Sequence, residues 1–320
     1  MAAVDRPERR HKAGDSSGEI METLVKLSFY CFAAASVSLA ASALSYIVFA
    51  VGRVRVRQAT MATSAGSTVS TSQTEFVPGS ATAGRFGSIL AVFATSFAFL
   101  AILFRGIAAG RVPLSNMYEF SLTFIFAITL VYLLFERAYG IRHLGSVVMF
   151  LAFLMTVYIW SLPVSFREVD PLIPALQAKP IMTAHVTSAI FAYATFAVSF
   201  AAAVMFLVRK KWNVRWLPSL EMLDDIGFRA VTIGFPLLSL VLILGSVWAH
   251  DAWGVYWSWD PKETAALFTW LMYAVYLHTR TLRGWRGSRS AWILIGGFGA
   301  VLFTYYGNYF FGGLHAYGGV

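Results

Sequence analysis

Eight apolar stretches of this chain, the seventh of them short, read as membrane-spanning helices, and that pattern restricts the fold more than any other feature. The first, Leu27–Val51, contains no charged residue. A bilayer core of roughly 30 Å needs about 20 apolar residues wound as a helix. Comparable runs are Phe86–Phe104, Met117–Phe135, Leu144–Leu162, Ile181–Val208, Ala230–Ala249, Thr264–Leu277 and Ala291–Phe311. Lipid offers backbone N–H and C=O groups no partner, so each run must satisfy its own as a helix. Composition agrees: 58% of residues are hydrophobic and 13% charged, against roughly a quarter charged in soluble domains. The expected fold is an all-α polytopic membrane protein of about eight transmembrane helices with an external tryptophan-rich loop.

Residues 1–23 form a polar tail of nearly balanced charge, expected to be disordered, and 24–320 form one transmembrane domain. No cleavable signal peptide is expected in that tail. Between the first two runs, residues 53–85 open with Arg53, Arg55 and Arg57 and continue rich in Ser, Thr, Ala and Gly. They read as a flexible loop. The single cysteine, Cys31, excludes an internal disulfide, a Cys-x-x-Cys pair and a thiolate metal cluster. The net charge of +9 points away from nucleic acid once its positions are plotted. One set of loops holds Arg53, Arg55, Arg57 and Arg85, then Arg137 and Arg142, then Arg209, Lys210, Lys211 and Arg215, then Arg280, Arg283, Arg286 and Arg289. The other set holds only Arg105, Arg111, Arg167, Lys179 and Lys262. The positive-inside rule makes the first set cytoplasmic. A plasma-membrane protein with both termini and the tryptophan-rich loop outside is expected.

That loop spans 250–264 and carries the candidate chemistry, in Trp253-Gly254-Val255-Tyr256-Trp257-Ser258-Trp259-Asp260-Pro261-Lys262-Glu263-Thr264. Tryptophan does collect at membrane interfaces, which is the plain reading. The aromatic surface is denser than a connector needs, and His185 and His315 fall at the same expected membrane face. Trp253, Tyr256, Trp257 and Trp259 offer flat apolar area with polar edges. Imidazoles are common axial ligands of haem iron. Together these residues suggest haem, with His185 and His315 as its two axial ligands. Glycines flank His315 and permit close backbone approach. Lys262 faces either a haem propionate or a lipid headgroup, and both readings stand. Asp260 and Glu263 are expected to cap the next helix, with Pro261 at its first position. His278 lies inside a span near the cytoplasmic end, where an ionisable group is functional by default. His143 reads as a solvated loop residue and His250 as an interface residue. No serine–histidine–acid set, phosphate-binding loop or dinucleotide fingerprint is present.

Trp253–Thr264, continuing through Leu271–Arg280, resembles the tryptophan-rich signature of the haem-handling superfamily. It matches best the CcsA (ResC) branch of system II cytochrome c biogenesis. Pro113-Leu114-Ser115-Asn116-Met117-Tyr118-Glu119-Phe120 looks like that branch's early motif. His185–Tyr193 and Gly313-Leu314-His315 look like the segments holding its two external histidines. The resemblance implies a synthase subunit that exports haem b, a substrate in transit, and presents it for thioether attachment to apocytochrome c at Cys-x-x-Cys-His. It implies a ResB-type partner, a thiol-reducing thioredoxin-like protein and membrane lipid as associates. It also implies His185 and His315 on the outer haem iron, over Trp253, Trp257 and Trp259. His278 would ligate a second haem with a mate from the partner. Other readings are a CcmC-type protein that delivers haem without ligation, a haem channel or exporter, and an electron-transfer subunit. The last requires paired histidines inside the bilayer, and only His278 lies well inside a span.

Overall fold

The structure, a computed structural model, describes residues 7–51, 54–62, 68–76, 78–177, 179–214, 216–307 and 311–315. Among these are eight α-helices and one two-stranded ribbon, in the order α1 (Pro7–Val51), β1 (Val54–Ala62), β2 (Thr68–Phe76), α2 (Pro78–Ala109), α3 (Met117–Tyr139), α4 (Gly145–Ser161), α5 (Lys179–Trp212), α6 (Leu220–Trp253), α7 (Pro261–Leu282) and α8 (Ser288–Tyr306). Helices α1 to α6 are each long and apolar enough to cross a membrane. Helix α7 places Lys262, Glu263, His278 and Arg280 within 22 residues, and α8 has 19. The chain is a multi-pass helical membrane protein.

Each expected run lies within or largely overlaps a helix, and the departures from expectation lie at the edges. Helix α1 begins at Pro7, inside the segment expected to be disordered. Oppositely charged residues at helical spacing support the extension, as in the Glu22–Lys26 pair at 2.5 Å. The stretch expected as a loop at 53–85 instead holds β1 and β2, paired antiparallel from Val54↔Phe76 to Ala62↔Thr68, and the first turns of α2. The alternation Val54-Arg55-Val56-Arg57 and the Thr-rich β2 are strand signals that a Ser/Thr/Ala/Gly composition obscured. Helix α8 ends at Tyr306 rather than Phe311.

Helix α5 lies at the centre, packed against α3, α6 and α8. Its Ala192, Ala194, Ala197, Ala201 and Ala202 are all buried. Small residues let neighbouring backbones come close where lipid gives no hydrophobic drive to associate. Gly234 of α6 shows how close: a Cβ there would overlap Thr195 Oγ1 and lie 2.6 Å from Phe196.

At the end of the bundle bearing the tryptophan-rich loop, Arg105 and Glu119 form an almost fully enclosed ion pair, 2.8 Å apart and 1% and 0% exposed. The same carboxylate takes Arg111 at 2.9 Å and the Ser115 N–H at 2.8 Å. Arg105 also donates to the carbonyls of Arg167 and Glu168, tying α2 and α3 to the connection before α5. Asn116 caps α3 by accepting from the Glu119 N–H and donates to Phe166 O. Two of the few basic residues on this side are thereby consumed internally. Replacing Arg105 with Met is expected to destabilise the protein by roughly 3–5 kcal/mol, because it strips a buried charge of a partner. Thermal unfolding in detergent checks this; an unchanged midpoint contradicts it.

At the opposite end, Glu136 accepts from Tyr46 at 2.5 Å, Tyr132 at 2.6 Å and Ser88, joining α1, α2 and α3. His143, expected to be solvated, is half-buried beside Phe49, with ring centroids 4.5 Å apart and no hydrogen-bond partner for Nε2 among the described residues.

Candidate functional site

A cleft lies where α3, α5, α6, the tryptophan-rich loop, the start of α7 and the chain beyond α8 converge. His185 and His315, 130 positions apart in the numbering, both line it, with Tyr256, Trp257 and Lys262. Its empty volume is about 1200 Å³, open solvent at its mouth included.

His185 is held by α6. Its Nδ1 lies 2.9 Å from the carbonyl of Val241. A carbonyl only accepts, so Nδ1 carries the proton and the ring's lone pair sits on Nε2. Gly245, one helical turn beyond Val241, makes this approach possible. A Cβ there would lie 2.7 Å from Cε1 and 3.0 Å from Nδ1 of His185. Gly245→Ala is therefore expected to displace the imidazole and weaken any metal bond it makes by roughly 10-fold, the lower end of the range for lost orienting contacts. Ligand titration against the unaltered protein reads the change.

His315 is held by α7. Its Nδ1 lies 2.9 Å from Asp260 Oδ1, so this imidazole too keeps its lone pair on Nε2. Asp260 is the N-cap of α7 and completes a capping box with Glu263 behind Pro261, as expected. Its Oδ1 also accepts the Lys262 N–H at 2.9 Å, and Oδ2 accepts the Leu314 N–H at 2.7 Å. Gly313 is required there, since a Cβ would overlap Asp260 Oδ2. Burial alone would raise the Asp260 pKa. The hydrogen bonds from His315, Lys262 N–H and Leu314 N–H outweigh it and hold the carboxyl at about 2. Burial pushes the His315 imidazole below its ordinary value, partly opposed by the bond to Asp260. The arrangement is the carboxylate–histidine pairing that orients imidazole ligands at metal centres.

The aromatic residues do not form one bed. Trp253 ends α6, and Gly254 at φ 78° breaks the helix, so 253 and 257 do not share a helical face. Trp253 packs edge-on against His315 at 4.8 Å rather than lining the cleft. Trp257 lines the cleft with Nε1 buried and without a hydrogen-bond partner among the described residues. Trp259 is 68% exposed, with a left-handed backbone at φ 60°. Tyr256 stacks on His250 at 4.4 Å. The ring that lies beside both histidines is Trp248, stacked on His185 with centroids 6.0 Å apart and tilted against His315 at 5.5 Å, with Nε1 donating to Ala175 O. Sequence reasoning missed it and Gly245. The available signal was their spacing from Val241, at i+4 and i+7, which is also ordinary helix packing.

His278 is elsewhere. It is exposed on α7, about 24 Å along the helix from Lys262 at 1.5 Å per residue. It cannot share an iron with the cleft histidines. The early motif lines the cleft through Ser115, Asn116, Met117 and Phe120, while its Glu119 turns inward to Arg105.

Fold and cleft together define a helical membrane protein with two imidazoles, each held through Nδ1, on one cleft. Residues 114–315 match the profile of the family described as Cytochrome C assembly protein, running from one wall of the cleft to its second histidine. The cytochrome c biogenesis protein CcsA of Chlamydomonas reinhardtii is 40% identical over 228 residues, covering 68% of this chain and 64% of that protein. The CcsA of Mesostigma viride is 34% identical over 263 residues, covering 73% and 86%. A solved structure, cytochrome c heme lyase CcmF, aligns with a TM-score of 0.64 at 18% identity, over 88% of this chain and 46% of that one. That likeness is one of fold. The chain belongs to the cytochrome c assembly protein family.

Proposed function

We propose that the cleft binds haem between His185 and His315, and that the chain is the membrane subunit of a system II cytochrome c synthase. The observation carrying this reading is that both cleft imidazoles have Nδ1 committed, to Val241 O and Asp260 Oδ1, which leaves Nε2 as the coordinating atom on each. The cleft is open to solvent on one side, which suits a substrate to be presented rather than a cofactor to be kept.

In this reading the protein supplies position and ligation while haem and thiol supply reactivity. The histidine of an apocytochrome Cys-x-x-Cys-His segment displaces one cleft imidazole from iron. Each neighbouring S–H then adds across a vinyl C=C. Sulfur bonds one vinyl carbon, hydrogen goes to the other, and no net oxidation occurs. The loop basic residues orient the cleft, and both termini, to the extracytoplasmic side of the plasma membrane. His278, near the other end, serves a second haem whose other ligand comes from a ResB-type subunit. A thioredoxin-like reductant keeps the apocytochrome thiols reduced.

Co-expression with a ResB-type subunit and an apocytochrome tests the synthase reading. Covalently attached haem that needs this chain is the expected result. Haem bound by the chain without thioether formation in that complete system contradicts it.

A further inference from the structure

Helix α7 carries a polar stripe that ligand binding in the cleft does not use. Thr269, Tyr273, Tyr276 and Arg280 fall at i, i+4, i+7 and i+11, so they share one face of the helix over about 16 Å. That face is turned into the bundle: Thr269 is 0%, Tyr273 1% and Tyr276 0% exposed. One end of the stripe reaches the cleft. Thr269 Oγ1 lies 3.0 Å from Thr304 Oγ1, and Thr304 lines the cleft with Tyr193, whose hydroxyl lies beside it. The other end is an ion pair. Arg280 meets Asp224 of α6 at 2.6 Å, with its guanidinium 4.8 Å from the centre of the Phe228 ring. Asp224 also accepts the Gly287 N–H at 3.1 Å. Between these ends the phenol oxygens of Tyr273 and Tyr276 are buried, and neither has a hydrogen-bond partner among the described residues. The Tyr273 ring is fixed by stacking on Phe196 with centroids 3.7 Å apart. Ser199 of α5 lies beside it, too loosely placed to complete a bond.

A buried hydroxyl that makes no hydrogen bond is costly, and two in succession on one helix face call for a common partner. Water fits that role, since a buried water typically bridges about three polar groups. Hydroxyls suit it on either side, because each donates one hydrogen and also accepts. We propose that internal water bridges Tyr273 and Tyr276, so that a chain of hydroxyls and water runs from the cleft along α7, and that the Arg280–Asp224 pair closes this chain to protons. Such a chain passes a proton when each oxygen accepts one on one side and releases one on the other, with no net change in any member. Because the cleft is open to solvent, an unclosed chain would let protons leak toward the far end of the bundle. The ion pair interrupts the relay. A guanidinium donates but never accepts, so it hands no proton on. Both carboxylate oxygens of Asp224 are already taken, Oδ2 by Arg280 and Oδ1 by the Gly287 N–H. Nothing in this inference depends on haem as the ligand of the cleft.

The full-length chain is reconstituted in liposomes that hold a pH-sensitive dye, and proton entry is driven by a potassium diffusion potential set with valinomycin. The unaltered protein is expected to pass protons no faster than protein-free liposomes do. Arg280→Gln should raise the rate by about tenfold, the effect of freeing one acceptor on Asp224. Adding Tyr273→Phe to that variant should return the rate to the protein-free level. Thermal unfolding reads the hydration separately. Tyr273→Phe and Tyr276→Phe should each lower the midpoint by about 2–4 °C, because phenylalanine cannot replace the bonds a hydrated hydroxyl makes. A midpoint unchanged or raised in either overturns the proposal, since that hydroxyl would then be dry. An Arg280→Gln protein as tight as the unaltered one overturns it, as does a leak in Arg280→Gln that survives Tyr273→Phe. A leak through the unaltered protein overturns the closure by Arg280 and Asp224. Should Arg280→Gln fail to fold, the two tyrosine variants still decide whether the chain holds water.

Discussion

His185→Ala and His315→Ala are each expected to lower haem occupancy of the purified protein by about 100-fold or more. Loss of an orienting contact to a metal ligand costs about 10–100-fold, and loss of the ligand itself exceeds that. Covalent cytochrome maturation should fall in parallel. The hydrogen bonds lost are that of His185 to the Val241 carbonyl and that of His315 to the Asp260 carboxylate, each worth about 1–3 kcal/mol, so both variants are expected to fold. Free imidazole should therefore restore part of the occupancy by filling the vacated iron position. Unchanged occupancy in either variant contradicts the ligand assignment. Loss that imidazole does not restore, with an intact thermal unfolding profile, contradicts it too.

Asp260→Ala is expected to produce the second largest effect, by two separable routes. The carboxylate accepts from His315, the Lys262 N–H and the Leu314 N–H, so it fastens the tryptophan-rich loop to the second histidine. Without it the imidazole loses its orientation, and haem affinity should drop by about 10–100-fold. The cap of α7 is also lost, at about 1 kcal/mol of stability. Asp260→Asn separates the two. An amide can still cap α7 and accept one hydrogen bond, but it no longer supplies a charge to the ligand imidazole. Its stability should be near that of the unaltered protein while its haem affinity stays reduced. Equal affinity in the Asn variant and the unaltered protein would mean that Asp260 is only a cap.

The helices were legible because lipid leaves little choice. An uncharged run such as Leu27–Val51 has no stable alternative to a helix in a membrane. Their ends were not, because charge and polarity mark where a segment leaves lipid rather than where its backbone stops being helical. Helix α1 thus continues back to Pro7 through charged residues. The β1–β2 ribbon was missed because its composition resembles a linker, although its Val/Arg alternation was present. In the cleft, residue types were legible and relations were not. The Asp260–Glu263 capping box could be read because its partners are three positions apart. The bond from Asp260 to His315 spans 55 positions and left no local mark. Trp248 and Gly245 do what ordinary core residues of α6 do, except that the group they pack against is His185. Trp259 was grouped with the others by type, yet its left-handed backbone leaves the ring outside.

Coordination of iron in the purified protein is the most direct test of shared ligation by His185 and His315. Electron paramagnetic resonance of the ferric haem-loaded chain should give a low-spin, bis-imidazole signal, which becomes high-spin in both His185→Ala and His315→Ala. A low-spin signal that persists in either variant, or a high-spin signal in the unaltered protein, would mean that these two imidazoles do not share the metal.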